Sequence, residues 1–394
     1  MLKIEPDENS TLILGRGINS ITLEEKATPI NVDGNIQRTD VNSVIYELKK
    51  IENLTSLREM LNVSASASFS YGSGSASAKA SYFNSVAMST YSLFLCIRVK
   101  VSTRKEKLNN YVLKDSAGKF FNDVGKDEFF SVYGDEFIGS VLYGGEFLCI
   151  LQIKTETNEE KSKISSSLEG SYGFSSGRVD FEKKLERVRG VSTTQLYLHR
   201  RGGSGALPSM AELYDAALDF PEKVTGNDTI IQVMSLPFGI IENFPKKEKP
   251  ISLDIQRDSL ERMAKIRDSA VYYCNDYRFS LDNPFLFKNQ DLGQIQKAYA
   301  ACSSIINSID VASKKCLRSD GLICEEIDVI PPYVAVAWEI PLEPSLSVMC
   351  HVEGIGDMYG SGGEFVGTRG RSLKAQGIAI SINPPVPGLY IEYM

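Results

Sequence analysis

Tyr133-Gly134-Asp135-Glu136-Phe137-Ile138-Gly139-Ser140-Val141-Leu142-Tyr143-Gly144-Gly145 is the stretch on which the reading of this chain turns. An aromatic residue precedes a glycine, a second aromatic stands four positions after the first, and a diglycine follows after six more residues. Ordinary core strands seldom combine these features. Adjacent glycines weaken a strand unless the missing Cβ is needed for a bend, a bulge or the close approach of another backbone. Gly144 and Gly145 therefore permit backbone angles and a close approach that a Cβ would forbid, and a static β-bulge pair is the plainest such use. Asp135 and Glu136 read as solvated carboxylates on the turn before the strand. A second reading makes them a restraint on the bend that is released when they are protonated.

Apolar runs of strand length flank this stretch, YSLFLCIRVKV at 91–101 and EFLCILQIKT at 146–155. Beyond each lies an unusual Ser/Gly-rich segment. In 62–90, NVSASASFSYGSGSASAKASYFNSVAMST, the residues Val63, Ala65, Ala67, Phe69 and Tyr71 alternate with polar ones. After the Gly72–Gly74 turn signal, Ala76, Ala78, Ala80 and Tyr82 alternate again. In 157–189, TNEEKSKISSSLEGSYGFSSGRVDFEKKLERVR, the alternating residues are Leu168, Gly170, Tyr172 and Phe174, and Ser171-Tyr172-Gly173 repeats Ser70-Tyr71-Gly72. Period two gives one apolar and one polar face if a segment is extended. A hairpin that crosses hydrocarbon needs about 20–25 residues, which both segments supply. Backbone groups in lipid must be paired, so such hairpins insert only as parts of a closed barrel of several copies. Val63, Ala65, Ala67, Phe69, Tyr71, Leu168, Tyr172 and Phe174 would then face lipid and the serines the lumen. Ala, Ser, Lys and Glu also accept a helix, so the same residues can be stored as helices. Either segment alone reads better as a low-complexity surface loop; two alike on either side of one signature reverse that preference.

The rest of the chain reads as follows. Short apolar runs fill 1–60, with strands and a helix near 43–60. Residues 191–199 and 229–236 are strands. A helix spans 209–219 and stops before Pro221. Two helices follow, one with Leu260, Met263, Ala270, Val271 and Cys274 on one face. The other carries Ile295, Ala298, Tyr299, Cys302, Ile305, Ile306 and Ile309. From about residue 321 the texture becomes β, with YVAVAWEI, LSVMCHV, GIAISI and LYIEYM, which places a domain boundary between 1–320 and 321–394.

The run at 133–145 resembles the signature of the membrane attack complex/perforin and cholesterol-dependent cytolysin superfamily, Tyr-Gly-(Thr/Ser)-His-(Phe/Tyr), six residues, Gly-Gly. Asp135 and Glu136 stand where that family has a hydroxyl and a histidine. The order of parts over 1–320 is also similar: segment, strand, signature, strand, segment, then a helix ending in LDFPEKV before an apolar strand. The resemblance implies an α+β fold, with a bent, twisted central antiparallel sheet flanked by helical clusters. It also implies a pore former that assembles as a ring on a membrane from monomers in solution.

Residues 351–382 resemble a Gly-rich bacterial β repeat found in surface-binding and β-prism modules, with matches at Gly356, Gly363, Glu364, Gly367, Thr368, Gly370 and Ser372. A small all-β, partly β-prism-like module is expected there. Asp357, Glu364, Thr368, Arg369, Arg371 and Ser372 are its candidate contacts to a glycan or glycolipid receptor.

Composition bounds the alternatives. Of 394 residues, 42% are hydrophobic and 24% charged, which are globular values. A net charge of -7 argues against nucleic acid and against simple adsorption to anionic lipid. The start, MLKIEPDENS, has no apolar leader core, so release without an ordinary signal peptide, or prior removal of a leader, is expected. The seven cysteines lack metal-ligand spacing, and Cys316 and Cys324 could pair across a short loop. No metal and no cofactor is expected. Gly173-Phe174-Ser175-Ser176-Gly177 fits G-x-S-x-G, but it sits in the Ser-rich stretch, and only His199 and His351 could serve it. A hydrolase using Ser175 is the weakest reading, behind a non-lytic surface-binding or adhesion protein, and no catalytic residue is expected.

Overall fold

The computed structural model describes residues 2–6, 10–69, 77–154, 162, 165, 173–176, 178–188, 195–242, 244, 251–284, 287, 290–318, 324, 327–335, 345–361 and 365–383. Of the candidate residues, Tyr71, Leu168, Tyr172 and Glu364 lie outside this set, and Phe174 is described in its backbone only. Two compact units form: residues 1–283 with 290–336, and 284–289 with 337–394.

The first unit is α+β around an eight-stranded antiparallel sheet. Its strands are β1 Leu2–Ile4, β2 Gly17–Ile18, β3 Ile36–Ile51, β4 Ser92–Leu108, β5 Glu136–Lys154, β6 Gly173–Ser176, β7 Gln195–Arg201 and β8 Thr229–Pro237. The path is β1-β8-β5-β4-β3-β6, with β2 and β7 also paired to β5. β4 and β5 are the spine. They read as continuous apolar runs because helices cover both of their faces. Leu93, Leu95, Ile97, Val99, Phe147, Cys149 and Leu151 enter one core, while Phe94, Cys96, Leu148 and Ile150 enter another on the opposite face.

Nine helices occur among the described residues of this unit: α1 Leu54–Met60, α2 Ala65–Phe69, α3 Ala78–Ser85, α4 Asp115–Val124, α5 Lys126–Tyr133, α6 Arg178–Val188, α7 Leu213–Val224, α8 Ile251–Asp282 and α9 Leu292–Arg318. α1 to α3 pack on the Phe94 face, and α6 and α7 on the Leu93 face. α8 and α9 form a long antiparallel pair whose apolar stripes are those legible in the sequence; Leu260 and Met263 meet Ile309 and Ala312. No described helix is long and apolar enough to cross a membrane.

Two local expectations are corrected. Residues 43–51 continue β3, and the helix begins only at Leu54, capped by Asn53, whose side chain accepts from the Ser56 amide at 2.8 Å. The outer half of β3, 36–45, is exposed and mostly polar, and Glu47, Lys49 and Lys50 interrupt its inner half, so no sustained strand alternation is legible. The helix near 209 begins at Leu213 and does not stop before Pro221; α7 runs through it to Val224. Phe220 and Val224 are both buried in the core, and this packing outweighs the lost N–H donor of the proline.

The second unit is a three-stranded antiparallel sheet, with β9 Ser345–Val352 between β10 Gly356–Ser361 and β11 Ala375–Asn383. Described residues 333–335, at the start of the expected YVAVAWEI strand, are not in a strand.

Candidate functional site

The signature begins as a helix end. Gly134 caps α5 with φ +77, and its amide donates to the Phe130 carbonyl at 2.9 Å. A Cβ there would meet the Ile18 carbonyl oxygen at 2.2 Å, so glycine is required both by its backbone angle and by the close approach of β2. Tyr133 packs its ring 4.8 Å from Phe129, and Phe137 is buried 5.6 Å from Phe238.

Asp135 and Glu136 are not solvated. Both are buried, Glu136 to 1% exposure. The Ser20 amide donates to Asp135 at 2.7 Å and the Ser20 hydroxyl at 2.5 Å, while the Ser235 hydroxyl donates to Glu136. Hydroxyl and amide donors from β8 and from the turn after β2 compensate their burial, which the local sequence could not reveal. Arg257 of α8 donates to the same Ser20 hydroxyl at 2.9 Å, linking the long helix to the signature.

At the diglycine the sheet changes partners. β5 pairs with β8 as far as Gly144 and with β7 from Glu146 onward. Besides shifts at Gly139 in β5 and between Tyr46 and Leu48 in β3, a row of irregular pairing crosses four strands: 41–42 in β3, Thr103 in β4, Tyr143–Gly144 in β5 and Ile231 in β8. Bulges bend strands and increase their twist, so this row is a seam where the sheet turns. Neither glycine of the pair has positive φ; their role is close approach. A Cβ on Gly144 would stand 1.8 Å from the Val101 carbonyl oxygen, and one on Gly145 would stand 2.5 Å from Val224 and 2.9 Å from Phe220. Asp228 pins the outer side of the seam. It accepts from the bulged Thr103 hydroxyl at 2.7 Å and pairs with Arg104 at 3.1 Å, whose guanidinium lies 3.9 Å over the Tyr143 ring.

The first segment holds two short helices, α2 and α3, among its described residues. Val63, Ala65 and Phe69 are buried and Ala67 is partly so. α2 lies in the core with Leu260, Met263 and Ala312, so it is wedged against α8 and α9; Ala80 and Phe83 of α3 face the sheet. The helical packing also buries Ser66 and Ser68, residues of the polar alternate set. α8 braces the segment at both ends. Before it, buried Arg58 donates to Asp268 at 3.1 Å and Glu261 at 2.7 Å. After it, the Thr90 hydroxyl and amide donate to Asp276 at 2.6 and 2.7 Å. Desolvation pushes the Asp268 carboxyl up despite Arg58, so that pair is held by geometry in a costly place.

Lys79 of α3 enters an ion cluster on the sheet. It reaches Glu146 at 2.6 Å and Glu5 at 3.0 Å; Arg98 reaches the same two carboxylates at 2.6 and 2.8 Å, and Lys100 reaches Glu5 at 3.2 Å. Burial alone would raise the Glu5 carboxyl, but the three cations hold it down at about 2. One signal for this cluster was legible and missed: Lys79 is the single charge between 62 and 90. A cleft of about 360 Å3 opens beside it, lined by Ile4, Glu5, Asn62, Ser64, Arg257 and Leu260.

The second segment meets the sheet differently. β6, which contains Phe174 and Ser175, adds to the edge of β3, with Ser176 opposite Tyr46 and Gly173 opposite Leu48. Ser175 is thus within a strand. α6 buries Phe181 and Leu185 on the Leu93 face, with the Phe181 ring 4.9 Å from Tyr46. Cys316 and Cys324 form a disulfide, and Cys316 is buried beside α2.

In the second unit Asp357 lies on β10 and accepts from His351 at 2.5 Å. Arg369 stands 4.5 Å over the Phe365 ring, Arg371 is exposed, and Ser372 has φ +52. Thr368 is partly buried on the same connection between β10 and β11.

No protein-family model and no curated protein sequence matches the chain. Its fold is similar to that of several solved structures. Stonustoxin is 13% identical with a TM-score of 0.44, over 80% of this chain and 42% of that one. GNIP1Aa from Chromobacterium piscinae is 14% identical with a TM-score of 0.35, over 66% and 56%. Astrotactin-2, a perforin-like membrane protein of vertebrates, is 13% identical with a TM-score of 0.34, over 58% and 90%. The chain spans less than two thirds of the length of the first two.

Proposed function

We propose that this chain is a perforin-like pore former: it binds a target membrane, associates with further copies, and converts the segments at 62–90 and 157–189 into two β-hairpins of a shared barrel. One observation carries the reading. Segment 62–90 has the alternation of an amphipathic strand, yet its residues 65–69 and 78–85 are packed as two short helices, the first with buried serines. α3 has almost no helical amphipathicity. Local sequence and fold disagree here, and such conflicts concentrate where a protein must change state. The free outer edge of β3, from Ile36 to Ile45, supports association through the sheet, since it pairs with β4 alone among the described residues. The seam at Gly144 supplies the bend. In the second unit, Asp357, Thr368, Arg369, Arg371 and Ser372, with Glu364, are the proposed receptor contacts. The chain would act outside the cell that makes it, and the reading requires neither catalysis nor a cofactor.

Dye release from vesicles of total lipid extract tests this. A disulfide between Tyr82→Cys on α3 and Tyr197→Cys on β7, whose native rings stack at 4.0 Å, would hold the first segment down. Release that stops under oxidation and returns with reductant is the expected result. Binding with no release in the reduced form would replace the reading with that of a non-lytic surface protein.

A further inference from the structure

We propose that Glu5, Lys79, Arg98, Lys100 and Glu146 form a charge latch that keeps α3 on the sheet next to the diglycine. This rests on the reading of 62–90 as the mobile segment. The cluster joins four places in the chain: the residue following β1, α3, two positions of β4, and the residue after Gly145. Only Lys79 comes from the segment that would leave. Glu47 of β3 stands 4.0 Å from Arg98 and is itself held by Lys49 at 3.0 Å; Lys3 and Gln232 line the adjoining cleft.

The five groups set three cations against two carboxylates, and Glu47 brings its own cation, Lys49. Departure of Lys79 leaves Glu146, which is 3% exposed, with Arg98, and Glu5 with Arg98 and Lys100. A buried carboxylate that loses a charge-assisted hydrogen bond loses part of what offsets its desolvation, so α3 cannot peel away without that cost. In an extended hairpin Lys79 falls in the alternate set with Ser77 and Ser81, the polar face. The same side chain therefore suits both the latched helix and a wet lumen, which explains one lysine in an otherwise uncharged stretch.

Acid does not open this latch in the mild range. Both carboxyls are held below their ordinary values; although burial opposes it, Glu5 is held at about 2 by Lys79, Arg98 and Lys100, and Glu146 is lowered by Lys79 and Arg98. A depressed carboxylate contributes stability that is complete above its unfolded value and is lost only as pH falls toward the folded one. Between pH 8 and 5 both carboxylates stay charged, and opening must come from withdrawal of Lys79.

Hydrogen–deuterium exchange of the full chain, without membrane, tests the proposal, with wild type, Lys79→Met, Lys79→Arg, Glu146→Gln and the Lys79→Met/Glu146→Gln pair. Peptides covering 77–86 should exchange about tenfold faster or more in each neutralising single variant, the scale of a buried charge-assisted hydrogen bond. Peptides of β7 and α9 should not change. Lys79→Arg should stay near wild type, and the charge-balanced pair should fall closer to wild type than either single change. Exchange of 77–86 corrected for intrinsic rate should be flat from pH 8 to 5. Unchanged exchange in Lys79→Met, or a pair that simply adds the two single effects, overturns the latch. Because the readout needs no vesicle, faster exchange in Lys79→Met with no dye release from any form would uphold the latch and refute the pore reading.

Discussion

The two Ser/Gly-rich segments look alike in sequence and are held by different physics. The first is wedged between the sheet and α8, tied at Arg58, Lys79 and Thr90 through partly or fully buried charges. The second adds a four-residue strand to the edge of β3 and lays one helix on the opposite face through Phe181 and Leu185. Both bury apolar side chains, but among the described residues the first adds buried ionic contacts whose partners lie far away in sequence, while the second adds an edge pairing and the Lys50–Ser165 hydrogen bond at 3.1 Å. Charge networks resist displacement until one partner leaves, then fail together. An edge strand and an apolar helix face yield gradually. Under the proposed mechanism this difference sets an order of release, with the second segment loosening before the first.

The seam is common to both, so changing it should erase the comparison. Gly144→Val places a side chain where its first carbon already stands 1.8 Å from the Val101 carbonyl oxygen. β4 and β5 must separate to admit it. The expected loss exceeds about 4–5 kcal/mol, the range reserved for changes with a specific structural cause, read as failure to recover soluble folded chain. Gly239→Ala is the control: its Cβ would meet nothing within 4 Å, and circular-dichroism melts should match wild type.

Arg58→Leu should act on one side of the comparison only. It strands Asp268, which is 3% exposed and already raised by desolvation. Breaking one partner of such a pair costs about 3–5 kcal/mol, measured by urea unfolding. Exchange should accelerate in α1 and the middle of α8, while α6 keeps its protection. Equal acceleration in α6 would show that the two segments are one cooperative body.

Much of this was legible in sequence because it is written in local period. The apolar runs at 91–101 and 146–155 are β4 and β5, and the stripes through Leu260 and Ile295 are the faces on which α8 and α9 pack. The diglycine marked the seam because only a residue without Cβ tolerates the backbone of Val101 so near. What failed was non-local. β3 between 36 and 45 pairs on one side and is exposed, so nothing forces alternation on it. The burial of Asp135 and Glu136 depends on Ser20 and Ser235, each about a hundred residues away. The brace from Asp268 to Arg58 spans 210 residues. Such pairs leave no periodic trace in sequence, which is why the signature was readable and its restraints were not.

Phe181→Ala is the smallest of the three changes and the one that sharpens the contrast most. Phe181 is fully buried and packs on Tyr46, directly above the short β3–β6 pairing. Phe→Ala in a core typically costs about 3–5 kcal/mol, with the low end expected where the surroundings can relax. α6 lies near the sheet edge, follows a strand of four residues, and makes its exposed i,i+4 pair, Arg178–Glu182, at 3.2 Å, a contact of little energetic weight. The expected cost is therefore about 3 kcal/mol, taken up mostly by local loss of α6 and β6. Exchange should rise in 173–188 and in the facing edge of β3 near Tyr46 and Leu48, while α3 stays protected by Lys79. If the second segment is the first to leave, this variant should also shorten the lag before dye release without changing the final extent. Faster exchange in 173–188 with an unchanged lag would place the rate-limiting step on the latched first segment instead.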